Sequence, residues 1–81
     1  MKRSIKDLIN RILWDKKENK ADYSFYYLDR IENLEKEIKG ADIIRLEGNF
    51  IVIQRDGEEA EIPMHRVRFV KKGERLIWRR V

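Results

Sequence analysis

The chain has no cysteine, one proline and one histidine. Without cysteine there is no disulfide, no thiolate metal site and no cysteine nucleophile. A single histidine also argues against a histidine-rich zinc site, so neither a metal nor a cofactor is expected. Long hydrophobic runs are missing too. Phe50 to Ile53 is as long a wholly apolar stretch as the chain contains, far short of what a bilayer requires. In the basic N-terminal stretch MKRSIKDLINRI the apolar residues are interrupted by Lys6, Asp7, Asn10 and Arg11, which does not fit a signal peptide. The expectation is an intracellular, soluble, cytoplasmic protein with no membrane partner. Catalytic frameworks are scarce as well: no Ser-x-x-Lys, Gly-x-Ser-x-Gly or Walker motif occurs, and the EF-hand pattern is absent.

What is present is charge. The 81 residues, enough for one domain (1–81), are 42% hydrophobic and 42% charged, against a usual charged fraction of about 25%. The net charge of +4 is unevenly placed. Residues 62–81 hold seven basic residues and one acidic one, whereas residues 1–61 hold 12 basic and 14 acidic. A basic C-terminal segment suits a polyanionic partner such as RNA, although a solvated basic tail produces the same pattern.

The spacing of Ile5, Leu8, Ile9, Ile12 and Leu13 predicts an amphipathic helix. Ser4 is placed to cap it, and Asp7 lies in its first turn, where a negative charge suits the helix dipole. YSFYYLDRI (23–31) reads as a strand, with Tyr23, Phe25, Tyr27, Asp29 and Ile31 on one face. ENLEKEIK reads as a short helical turn, with Leu34 and Ile38 four apart and Gly40 stopping it. Gly48-Asn49 and Asp56-Gly57 separate three further strands, Pro63 breaks the last of these, and Gly73 turns a final hairpin. The expected fold is α+β: one N-terminal amphipathic helix packed on one face of a mainly antiparallel five- or six-stranded sheet.

Three constellations could carry function. In IPMHRVRFV, Pro63 fixes the backbone two residues before His65, and Arg66 adds a planar fork suited to phosphate oxygens. If Val67 and Phe69 face the core, Arg66 and Arg68 point the other way together. A solvated turn with no ligand is the plain alternative. In RLIWRR, Trp78 beside Arg79 is a candidate platform for stacking a base, or else a core plug. In NRILWD, Trp14 is expected to seal the helix against the sheet, so that its truncation would cost about 3–5 kcal/mol, while Arg11 lies on the polar side and Asp15 marks the helix end. His65 could also act as an acid or base on a phosphodiester, given a second group among Asp29, Tyr26 and Tyr27.

Taken in order, NRILWD, YYLDR, ADIIRL, IPMHRV and LIWRR resemble a small archaeal family described as an RNA cyclic-group end recognition domain, along Asn10 to Arg80. The resemblance implies a compact α+β domain that recognises RNA ends carrying a 2′,3′-cyclic phosphate and works with RNA-processing enzymes. Matched motif by motif, it implies roles for Arg11, Trp14 and Asp15, for Asp29 and Arg30, for Pro63, His65 and Arg66, and for Trp78 and Arg79. His65, Arg66, Arg30, Asp29, Arg11 and Arg79 are the RNA- or phosphate-binding candidates, Trp78 the stacking candidate, and Trp14, Asp15 and Pro63 structural. One stretch departs: IENLEKEIKG replaces a glycine-rich connection. Two phosphodiesterase histidine motifs are missing, so the resemblance implies binding of a cyclic end, not its opening. The rivals are a metal-independent RNA phosphoesterase built on His65 and an adaptor that recruits a protein through an edge strand.

Overall fold

The computed structural model describes residues 4–80, so the first three residues of the basic N-terminal stretch and Val81 lie outside the described residues. Helix α1 spans Ile5–Trp14, and the Ser4 hydroxyl accepts from the Asp7 amide at 3.1 Å. Its apolar stripe is buried at Ile5, Leu8, Ile9 and Ile12, as the spacing predicts.

Seven strands follow: β1 Tyr23–Asp29, β2 Leu34–Lys39, β3 Ile43–Glu47, β4 Phe50–Arg55, β5 Glu58–Pro63, β6 Val67–Lys72 and β7 Arg75–Arg79. They form two antiparallel sheets instead of the single sheet expected. One has the order β2-β1-β6-β7 and the other β3-β4-β5. The meander β3-β4-β5 is an insertion between β2 and β6. Single-turn 3-10 segments at both junctions, Gly40–Asp42 and Met64–Arg66, redirect the chain from one sheet to the other. Helix α1 adds its stripe to a core shared by strands of both sheets, where Phe25, Ile38, Ile51, Ile53, Val67 and Val70 are fully enclosed. The expectation of a helix laid on one face of one sheet is corrected accordingly. Hydrophobic burial is non-directional, and two small sheets that share one core with the helix leave fewer apolar faces wet than one open sheet.

ENLEKEIK is the second correction: it forms strand β2, not a helical turn. The spacing of Leu34 and Ile38 is compatible with both structures, because residues four apart share a face in a helix and in a strand alike. What decides is the hairpin with β1, in which Ile38 lies opposite Phe25 and both are buried. Strand β1 itself alternates as predicted through Tyr23, Phe25 and Tyr27, but Ile31 lies beyond the strand and is 95% exposed. The Asp56-Gly57 hairpin forms as expected, with φ of 53° and 80° at its two central residues, the positive values that favour this pair of residues.

One contact ties the sheets together and another extends the β4–β5 pairing into the turn that leaves it. Arg55 donates to the Glu37 carbonyl at 3.1 Å, and the Met64 amide donates to the Asn49 carbonyl at 2.9 Å. At the other junction Gly40 is buried against the Lys20 and Tyr23 carbonyls. No helix among the described residues is long and apolar enough to cross a membrane.

Candidate nucleic-acid interface

Pro63 closes β5 opposite Phe50, and the chain then makes the tight turn Met64–Arg66 before entering β6. Met64 is buried and anchors this turn, while His65, one residue on, is exposed. The half-buried Arg66 follows. Its Nε is enclosed and has no hydrogen-bond partner, an uncommon state for a buried donor.

The turn is held from behind by Arg80, whose Nε donates to the Val67 carbonyl at 2.9 Å and whose Nη2 donates to the Met64 carbonyl at 3.0 Å. The Arg80 amide meanwhile pairs with the Arg68 carbonyl at 2.9 Å. One guanidinium thus ties the C-terminal strand to both ends of the turn, as a planar fork can and an ammonium cannot.

Strand β1 ends against this turn. There the Asp29 carboxylate accepts from the amides of Ile31 at 2.9 Å and Glu32 at 3.3 Å, and lies 2.8 Å from the Lys36 ammonium. Hydrogen bonding from Lys36, then from the Glu32 amide, holds its carboxyl below the usual carboxylate range. Asp29 therefore organises the β1–β2 turn, and its neighbour Arg30 is exposed. Glu74, the one acidic residue of the basic C-terminal segment, lies at the far end in the β6–β7 turn. His65, Arg66 and Arg68 are thus not countered by an acidic residue of their own segment.

Along the outer face of the four-stranded sheet, Tyr26 and Phe69 stack across β1 and β6 with ring centroids 4.5 Å apart. Plain alternation from a core-facing Val67 would put Phe69 in the core as well. A register shift between Tyr26 and Tyr27 makes Arg68 the extra residue of a bulge and turns Phe69 outward, while Val67 and Val70 stay buried. The aromatic richness of YSFYY was the available signal, but strict alternation could not locate the bulge.

The model of the family described as the MJ1316 RNA cyclic group end recognition domain matches residues 1–80. The chain belongs to this family. A UPF0248 protein of Saccharolobus solfataricus is 39% identical over 79 residues, covering 94% of this chain and 95% of its own length. One from Saccharolobus islandicus is 35% identical over 79 residues, with 94% and 98% covered. One from Methanococcus maripaludis is 38% identical over 80 residues, with 94% and 99% covered. No solved structure matches the chain.

In this member of the MJ1316 family the candidate residues divide between two places. His65, Arg66, Asp29 and Arg30 gather at the Met64–Arg66 end of the four-stranded sheet, and Arg79 lies opposite Phe69 on the same sheet. Arg11 and Asp15 lie elsewhere, 4.0 Å apart between Nε and carboxylate. Arg11 acts electrostatically on Glu18, whose carboxylate accepts from the Tyr23 hydroxyl at 2.6 Å. Tyr23 opens β1 and Asp29 closes it, so roughly 20 Å of strand separates the two groups.

Asp15 also accepts from the Lys17 amide at 2.9 Å, ending the helix. Trp14, expected to seal α1 against the sheet, is 81% exposed. The helix buries the stripe Ile5, Leu8, Ile9 and Ile12, and position 14 falls off that stripe. Trp78 is half-buried against the core, with the Arg80 guanidinium 5.2 Å from its ring centroid. Among the described residues no group of three or more His, Asp or Glu side chains could hold a metal ion.

Proposed function

We propose that the protein is a non-enzymatic RNA-binding module that holds an RNA end, with a 2′,3′-cyclic phosphate as ligand, at the turn Met64–Arg66. It works beside an RNA-processing enzyme in the cytoplasm. The observation that carries this reading is the turn Met64–Arg66, pinned by Arg80 through the Met64 and Val67 carbonyls, which presents the exposed His65 beside the half-buried Arg66. A cyclic phosphate is a compact monoanion, and a few rigidly held donors recognise it better than a broad cationic groove. Arg66 offers the fork and His65 a further donor. Arg30, at the adjoining end of β1, and Arg79, on β7, supply positive charge to the same region. Asp29 contributes by fixing the β1–β2 turn that carries Arg30.

Binding is favoured over turnover by the state of the groups that could assist His65. The Asp29 carboxylate is engaged by Lys36 and two amides, Tyr27 is buried in the core, and Tyr26 is stacked on Phe69. General acid–base catalysis needs a second group within reach of the reacting phosphate.

The test compares one oligoribonucleotide ending in a 2′,3′-cyclic phosphate, a 3′-phosphate or a 3′-hydroxyl. A charge-assisted hydrogen bond is worth about 1.5–3 kcal/mol, so at least a roughly tenfold preference for the cyclic end is expected. Arg66→Lys should lose most of that preference although the charge is kept, and His65→Ala should weaken it with the fold intact. Equal affinity for all three ends would rule out end recognition. Conversion of the cyclic end by the wild type but not by His65→Ala would establish the phosphoesterase instead.

A further inference from the structure

The outer face of the four-stranded sheet has a composition that the turn site does not explain. Its middle is the stacked pair Tyr26 and Phe69, both half-buried, with the Lys71 ammonium 5.8 Å from one ring centroid and 5.9 Å from the other. Cross-strand pairing puts Arg79 beside Phe69, and Leu76, itself 50% exposed, beside Lys71. On the opposite flank Glu37 lies beside Tyr26 and Glu35 beside Leu28. The face is thus aromatic along its centre and basic toward β7, while β2 presents Glu35 and Glu37 on it, with Lys39 beyond them opposite Ser24.

Two register shifts build this surface. The one between Tyr26 and Tyr27 brings Phe69 outward, and the one between Val70 and Lys71 puts Leu76 on the same side as Arg79. Bulges of this kind re-aim side chains without breaking the sheet.

We propose that this face binds the single-stranded RNA that leads up to the end held at Met64–Arg66, with a base stacked on the Tyr26–Phe69 pair and phosphates on Lys71 and Arg79. The inference rests on the RNA-binding reading of that turn but not on the chemistry of the RNA end. Aromatic rings beside cations on an open sheet are the arrangement that holds unpaired bases. A duplex keeps its bases stacked inside and offers the rings nothing. The two glutamates decide the path: beside Tyr26 and Leu28 phosphates are repelled from Glu37 and Glu35, so over this stretch the strand follows β6 and β7. From Arg66 to Lys71 that path covers about 17 Å of strand, room for several nucleotides within the usual footprint of a single-strand site. Lys71 is already drawn to the rings, which leaves its ammonium beside the phosphate of any stacked nucleotide.

The experiment measures affinity of the full chain for 3′-hydroxyl oligouridylates from two to eight nucleotides, in the wild type, Phe69→Leu, Lys71→Ala and the control Lys16→Ala. Affinity should rise with length in the wild type and in the control. Phe69→Leu should lose about tenfold on the longest oligomer, the worth of one stacked base, with little change on the dinucleotide. Lys71→Ala should lower the salt slope by about 0.7.

The preference for a cyclic over a hydroxyl end, measured separately on the dinucleotide, should survive both substitutions. Its loss in the wild type would sink the end reading and leave this face standing. Should Phe69→Leu fold poorly, photocrosslinking of 4-thiouridine RNA to the wild type gives the answer, with adducts expected on the peptides carrying Tyr26 and Phe69. A length dependence unchanged by Phe69→Leu, adducts elsewhere only, or equal binding of a duplex would overturn the proposal.

Discussion

The Lys36 ammonium lies 2.8 Å from the Asp29 carboxylate and 3.3 Å from that of Glu32, and these contacts close the β1–β2 turn. Asp29 is held below its ordinary pKa, chiefly by Lys36 and then by the Glu32 amide. Glu18 is lowered as well, first by the Tyr23 hydroxyl. A carboxylate whose folded pKa is depressed contributes stability above its unfolded pKa and loses that contribution as pH falls through the folded value. Both groups should therefore make the domain less stable from about pH 4 downward. In an NMR titration Asp29 should titrate low in the wild type and move up in Lys36→Gln. An ordinary Asp29 titration in the wild type would show that the contact is not maintained.

Arg80 spans the carbonyls of Met64 and Val67, so Arg80→Lys should loosen the turn although the charge is unchanged. Two part-buried hydrogen bonds predict a stability loss of about 1–2 kcal/mol. Amide exchange at residues 64–67 should accelerate, and affinity for a cyclic-ended oligoribonucleotide should fall with it. Unchanged exchange in the variant would remove Arg80 from this positioning role.

Gly40→Ala should be severe. An added Cβ would overlap the Lys20 carbonyl oxygen and crowd the Tyr23 carbonyl, and both obstacles are backbone atoms. Overpacking of this kind costs about 3 kcal/mol, readable as a lowered urea midpoint. A midpoint equal to that of the wild type would mean that the junction between β2 and β3 gives way easily.

Trp14→Ala should change the denaturation midpoint little, by about 0.5 kcal/mol or less, because the indole is exposed. Phe25→Ala, at a fully enclosed position, should cost about 3–5 kcal/mol. Comparable losses for the two would place the Trp14 ring against the sheet after all.

Some of this molecule is written locally. Ser4 and the apolar spacing from Ile5 to Ile12 specify helix α1, since cap and stripe depend only on residues within a few positions of each other. Asp56-Gly57 specifies its hairpin for the same reason: the positive φ angles are a property of those two residues. The grouping of Pro63, His65 and Arg66 was also readable, because the tight turn lies within the motif. Other features depend on partners far along the chain. ENLEKEIK satisfies helical and extended periodicity equally until Ile38 meets Phe25 across the β1–β2 hairpin. Phe69 faces outward only because β6 slips by one residue against β1, a shift that reverses every side chain beyond it. The split into two sheets depends on a 3-10 turn at each end of the inserted meander and on Gly40 passing close to Lys20. The same long-range pairing places Arg79 beside Phe69 and leaves Arg11 at the opposite end of β1, by Glu18. Spacing along the chain carries no information about such distances, because sheet register is settled between strands and not within them.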